Sequence, residues 1–315
     1  MNLRLALLCT ALLLASLAIG PVDLLAIAQT DPALARTLFV ELRLPRAGLA
    51  LLIGAGLGAG GAAAQALLRN PLASPDVLGP ASGAALGAVI AGYFLGGGVL
   101  GMAMGSLAGA GGGLAILLAL AGAGSRAGGT TRLVLAGVAV STLFGVAINL
   151  ALSLAPSPFA LYDLMFWLMG SLADRTLPQL LLAAPLIALG LALLLRAGPG
   201  LDALTLGEDV AHSLGVALPA LRRQVVIGIA LVTGAGVAVA GNIGFVGLVV
   251  PHLVRPFVGH RPGRAILPAA LAGAALLLAA DIAIRLLPAD LNLKLGVFTA
   301  LIGAPFFLWL IRKGL

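Results

Sequence analysis

An all-α fold of about ten membrane-spanning helices is predicted by three observations on this 315-residue chain. Hydrophobic residues make up 61% of it and charged residues only 9%, whereas soluble domains carry about 25% charged residues. So few charges cannot clothe a water-facing surface, and lipid must act as solvent for much of the exterior. The apolar residues also fall into repeated runs close to the roughly 20 residues that a bilayer crossing requires. Glycine is abundant, at 44 residues, as expected of helices that pack backbone to backbone inside a membrane.

The runs can be taken in order. Residues 3–26 begin beside Arg4 and look like a secretory leader, but apolar character persists to about Ala28 and every later run also needs the membrane. They are read as a retained first span. Cys9, the single cysteine, lies inside it with no thiol partner in the chain and is read as a small buried apolar residue. Residues 21–46 form an external segment. The second span, 47–68, holds Gly54, Gly56, Gly58, Gly60 and Gly61; Gly56 to Gly61 fits G-x-G-x-x-G, but no strand precedes it and packing is the reading. Spans three and four follow at 77–95 and 98–121. Gly101, Gly105, Gly109 and Gly113 recur every four residues in the fourth and line one face. The fifth span is 133–154. Residues 162–172 are too few to cross and belong at the interface. Span six, 177–195, is followed by a second long connection, 196–224. Spans seven to ten are 225–240, 243–254, 267–287 and 295–311, the eighth being short and expected to sit half-buried among the others. With no composition break, repeat or linker, residues 1–315 read as one transmembrane domain.

An even number of spans puts both termini on one side. Placing them in the cytoplasm assigns twelve of the 18 basic residues to the inside, among them Arg126 and Lys313, and leaves Arg36, Arg43, Arg46, Arg175, Arg285 and Lys294 outside. That bias is the positive-inside pattern. The net charge of +7 therefore reports on loops. The basic residues form no run, and no nucleic-acid partner is expected.

The chemistry-bearing residues are sparse. Neither of the two lysines, Lys294 and Lys313, stands in a phosphate-binding G-x-x-x-x-G-K-[ST] loop, so the chain is not expected to bind ATP. His212, His252 and His260 are too dispersed for a metal motif, and no metal, cofactor or catalytic residue is assigned. Asp281 alone lies well inside an apolar run; Arg285, four residues on, can pair with it. Arginines on the outer side suit two-pronged pairing with carboxylates. The 196–224 connection begins with Gly198-Pro199-Gly200, which breaks the preceding span. Glu208 and Asp209 then favour the start of a short helix that Gly215 can end, giving a compact knob of two short helices joined at Gly207.

Eight segments in order resemble the FecCD family of permeases, which serve iron-siderophore, haem and cobalamin import. They are RLPR at 43–46, QALLRNPLASPDVLG at 65–79, LAGVAVS at 135–141, FWLMGSL at 166–172, LGEDVAHSLGV at 206–216, GNIGFVGLVVPHLVR at 241–255, Ala280-Asp281 with Arg285, and IGAP at 302–305. The likeness runs over nearly the whole chain, and ten spans is the family's number. It implies a homodimer of permeases in the inner membrane, two cytoplasmic ATPase subunits that carry the ATP and magnesium, and a periplasmic or lipid-anchored binding protein that delivers the ligand. Ferric siderophore is the expected cargo, with haem and cobalamin next.

The resemblance also assigns residues. Gly207, Glu208, Ala211, Leu214 and Gly215 belong to the loop that couples to the ATPase. Arg43, Arg46 and Arg285 match the arginines that grip acidic residues of the binding protein; interfacial anchoring, or pairing of Arg285 with Asp281, is the alternative. The pathway is expected along the dimer axis, lined by the fifth and tenth spans with help from the eighth. Ser141, Thr142 and Asn149 are its polar candidates, the first two as a cytoplasmic-side gate. His252 is read as structural or as lying near the ATPase, and not as a haem ligand. The competing function is an ion-coupled secondary transporter, which would need a charged midplane pair or an inverted repeat.

Overall fold

A computed structural model describes residues 1–20, 22–122, 129–288 and 291–312. Arg126 and Lys313 of the charge pattern lie outside them. Every regular element among the described residues is helical, as the composition required, and helices stand at all ten predicted spans. They are α1 (Asn2–Ala18), α2 (Leu24–Thr30), α3 (Pro32–Leu38), α4 (Leu44–Leu67), α5 (Pro80–Val89), α6 (Gly98–Ala121), α7 (Gly129–Ser153), α8 (Pro158–Leu168), α9 (Leu177–Arg196), α10 (Gly198–Leu204), α11 (Glu208–Ser213), α12 (Leu218–Ala240), α13 (Val246–Val254), α14 (Pro262–Leu286) and α15 (Leu295–Arg312).

Several boundaries differ from the hydropathy reading: α12 starts at Leu218 rather than 225 and α14 at Pro262 rather than 267, and in the first 46 residues the differences have local reasons. The first span stops at Ala18 rather than at residue 26. Ile19 is already extended, with φ −79° and ψ 129°. The apolar residues beyond it form the separate helix α2, whose N-terminus Asp23 caps by accepting from the Leu25 and Ala26 amides. The external segment is ordered as well. Asp31 caps α3, and a π-helical turn over Phe39–Arg43 runs straight into α4. Pro45 has no amide hydrogen to offer the preceding turn, which accounts for the irregular register there.

Helix α4 is the centre of the bundle and packs on α14, α9, α13 and α12. Its glycines set the distance of closest approach. A Cβ on Gly58 would fall on the Ala269 carbonyl oxygen, and one on Gly54 would fall on that of Gly273. α4 and α14 therefore touch main chain to main chain, the geometry that small residues permit. The repeat in α6 does the same against α5, with Gly105 opposite Gly87 and Gly109 opposite Gly83. Leu57, Ile187, Ile229, Val232, Ile266 and Leu277 fill the space between these contacts.

The short α13 is wedged inside the bundle, and Pro251 leaves the Gly247 carbonyl without its helical donor. That oxygen rests against Gly61 of α4, a Cα–H contact that only glycine allows. Beside it the Gln65 side-chain amide donates to the Leu248 carbonyl at 3.2 Å, and Arg255 donates to the Gln65 side-chain oxygen at 2.6 Å. Gln65, at the head of the 65–79 segment, thus braces α13 and Arg255 to α4.

Candidate functional site

Three places collect the residues singled out by the sequence. They lie at the two ends of the bundle and on one uncovered helix face.

At one end, the termini of α1 and α14 meet the start of α4. Asp281 of α14 is the pivot, with only 2% of its side chain exposed. Arg46 Nε donates to its Oδ1 at 3.0 Å and Arg46 Nη2 approaches the same oxygen at 3.0 Å. Arg285 Nη2 pairs with Asp281 Oδ2 at 2.9 Å, so the i,i+4 pairing is present, and a second arginine from 235 residues away shares the same carboxylate. Arg285 also donates to the Ser16 and Ile19 carbonyls, both at 2.8 Å, and to the Ser16 hydroxyl. Arg43 donates to the carbonyls of Leu17, Ala18 and Val22. The last carbonyls of a helix have no intrahelical donors, and these two arginines supply them for α1. Arg43, Arg46 and Arg285 are therefore brought together, with Arg43 and Arg285 clasping α1 and Arg46, at 22% side-chain exposure, more open than Arg285 at 5%. A cavity of about 180 Å³ opens beside them, lined also by Arg175 and Asp174. Burial lowers the Arg175 pKa, against the nearby Asp174 charge, which raises it.

At the opposite end of α14 stands the knob. Asp202 of α10 accepts the Gly263 amide of α14 at 2.7 Å, which fixes α10 against the bundle. Gly207 turns the chain with φ +108°, a region that costs any residue with a Cβ, and α11 begins directly after it. Glu208 accepts from Arg222 of α12 at 2.7 Å and from Thr130 at 3.2 Å. Ala211 is fully buried beneath the knob, and Gly215 leaves the helix with φ +86°. Leu206, Val210 and Leu214 are all exposed on the knob, Val210 and Leu214 one turn apart on α11 and its cap and Leu206 ahead of the Gly207 turn. The sequence reading named Leu214 but missed Leu206 and Val210, and no helical spacing rule joins Leu206 to the others across the Gly207 turn.

The third place is α7. Thr142 and Asn149 are exposed, on a face shared with Leu135, Val138 and Val146. Among the described residues, no element covers that stripe. Ser141 lies at its edge and points elsewhere: its hydroxyl donates to the Asp76 carbonyl at 3.2 Å, tying α7 to a 3₁₀ turn over Pro75–Leu78. Asp76, which sequence reasoning did not single out, is half-buried there. Burial pushes its carboxyl up to about 6, with the Ser74 side chain pulling the other way. His252 lies edge-on to Phe306 of α15, ring centroids 6.5 Å apart, as suits a packing role.

Long apolar helices, a short-helix knob at one end, an arginine cluster at the other and a bare polar stripe between them make up a multi-pass membrane permease. Residues 3–313 match the FecCD transport family, and the chain belongs to it. It is 43% identical over 278 residues to the vitamin B12 import system permease protein BtuC of Citrobacter koseri, covering 88% of this chain and 83% of that one. The protein of the same name from Salmonella typhi is 42% identical over 278 residues. A solved metal-chelate type ABC transporter in an inward-facing conformation superposes with a TM-score of 0.89 at 33% identity, over 99% of this chain and 98% of that one. PsaBC from Streptococcus pneumoniae, solved with a Fab, shares the fold at a TM-score of 0.55 and 16% identity. The chain is thus the permease subunit of an ABC importer in a bacterial inner membrane.

Proposed function

We propose that two copies of this chain form the pathway by which a bulky metal chelate enters the cell, driven by two ATPase subunits at the knob and fed by a binding protein at the arginine end. The observation that carries this reading is the knob: exposed Leu206, Val210 and Leu214 on a base anchored by buried Ala211 and the Glu208–Arg222 pair. Exposed leucines on a short, well-braced element are what a protein cleft requires. Gly207 and Gly215 supply its turns. The excess of basic residues on the knob side supports a cytoplasmic location for that end and for both termini.

In this reading Arg43, Arg46 and Arg285 meet acidic residues of the binding protein. Arg46 is more open than Arg285, and Arg43 and Arg285 keep the surface in shape by holding α1. The bare stripe of α7 faces the second copy across the dimer axis, with Thr142 and Asn149 toward the cargo and Ser141 setting the position of the neighbouring turn. A path with so few ionisable groups suits a large chelate, because strong contacts would trap it. Cobalamin is the first cargo to test, given relatives named for vitamin B12 import; ferric siderophore and haem follow. The test is affinity purification of the tagged chain from its host in mild detergent. A P-loop ATPase should co-purify in equal amount, and the double variant Val210→Asp/Leu214→Asp should recover at least about tenfold less of it. A chain that emerges alone, with uptake that follows the proton gradient, would make it an ion-coupled transporter instead.

A further inference from the structure

The end of the bundle that carries the knob also holds a second feature, on the far side of α14. Helices α1 and α14 start at this end and run side by side: the Cys9 thiol donates to the Leu271 carbonyl at 2.9 Å, and Arg285 meets Ser16 farther along. Their first turns do not close on each other. An open recess of about 770 Å³ lies between them, its walls including Asn2, Phe257, Arg261, Arg264 and Leu267.

Arg261 and Arg264 are both exposed, three residues apart across the first turn of α14. Neither takes part in an ion pair among the described residues, and no acidic residue lines the recess. Asp202, which reaches the start of α14, is committed to the Gly263 amide at 2.7 Å. The helix end is therefore already capped, and the two guanidinium groups are left with uncompensated charge. Beside them the surface is apolar: Phe257 is 75% exposed and Leu267 43%. An aromatic ring so exposed, next to two unpaired arginines at the start of two membrane helices, marks the level where headgroups meet acyl chains. A freely dissolved anion would leave the apolar wall unused, and an acidic peptide would leave Phe257 and Leu267 bare. A ligand with a phosphate above and hydrocarbon below uses both.

We propose that this recess binds an anionic glycerophospholipid, its phosphate forked by Arg261 and Arg264 and its acyl chains lying on Phe257 and Leu267. Guanidinium forks match phosphate oxygens in pairs. The lipid would seal the seam between the bundle and α1, which packs on little besides α14 and α4.

Native mass spectrometry of the detergent-purified protein, with its partners if they remain bound, tests this with added phosphatidylglycerol or phosphatidylcholine. The wild-type protein should retain the anionic lipid roughly thirtyfold better than the zwitterionic one, the ratio expected for two arginines at an anionic surface. Arg261→Gln/Arg264→Gln should abolish the preference, while Arg36→Gln, an exposed arginine at the other end, should leave it intact. Equal retention of the two lipids by the wild-type protein overturns the proposal without recourse to any variant. So does an unchanged preference in the double variant. A double variant that keeps the lipid but loses a co-purifying protein would make the recess a protein contact and overturn it too.

Discussion

Replacing Asp281 by asparagine tests whether one buried carboxylate holds the arginine end together. The side chain keeps its size, so no cavity forms, and what changes is charge. Arg285, 5% exposed at its side chain, and Arg46, at 22%, lose the anion they share. Removing one partner of a buried ion pair costs about 3–5 kcal/mol, because the charge left behind is neither solvated nor paired. Arg285 keeps its bonds to the Ser16 and Ile19 carbonyls, which places the cost near the lower figure. At about 2–4 °C per kcal/mol for a chain of this order of size, the melting temperature in detergent should fall by roughly 6–12 °C. Intrinsic-fluorescence melting reads this directly. Adding Arg46→Gln to Asp281→Asn should then recover part of the loss, since it removes one of two guanidinium groups that now repel each other. A single variant that melts within about 2 °C of the parent, or a double variant whose costs simply add, would show that Asp281 is not the pivot.

Other consequences are as specific. Gly58→Val should destabilise the chain by about 1–3 kcal/mol or more, as overpacking of a tight contact does, because its branches meet the Ala269 carbonyl; Gly111→Ala, where a Cβ meets nothing within 4 Å, should be neutral or slightly stabilising in the same melting assay. Asp76→Asn should remove a pH dependence. The folded carboxyl titrates near 6 against an ordinary value of 3.8, so in that window the folded chain holds a proton that the unfolded chain has released. Stability from this group is therefore full below the unfolded value and is lost as pH rises through about 6. The variant should match the parent near pH 4 and exceed it at pH 7, by no more than about 3 kcal/mol; a difference that is flat across this range would remove Asp76 as the cause.

What could be read without coordinates followed from how local each signal was. Hydropathy located the helices because an apolar run in lipid must satisfy its own backbone, whatever its neighbours do. The glycine ladder of α6 was legible for the same reason, since a four-residue period can only line one helix face. Boundaries were less so: apolar content continues past Ala18, and the break lies in main-chain geometry at Ile19, to which a hydropathy window is blind. The i,i+4 pairing of Asp281 with Arg285 was visible in sequence, but Arg46 reaches the same carboxylate across 235 residues, and no spacing rule spans that distance. The knob's turns could be read from Gly207 and Gly215, whereas the partners of Glu208, namely Arg222 and Thr130, come from two other helices brought in by the fold.

The distribution of close contacts separates what can move from what cannot. α4 and α14 meet through main chain at Gly54, Gly58, Ala269 and Gly273, and such interlocked surfaces do not slide by small steps. The same α14 holds the knob through Gly263 and, about 30 Å away at 1.5 Å per residue, the arginine cluster through Asp281. A displacement imposed at either end is therefore transmitted along one rigid pair rather than absorbed within it. α7 and α15 are different. α7 leans on α6, α5 and one 3₁₀ turn, and α15 touches mainly α13 and α14, with a crevice of about 140 Å³ beside Phe245, Gly303 and Phe306. Free faces and a neighbouring void leave these two helices room to shift against the α4–α14 pair, and they are the elements assigned to the pathway. Under the proposed function, freedom of the pathway helices and rigidity of the α4–α14 pair are two results of the same choice of where glycines meet.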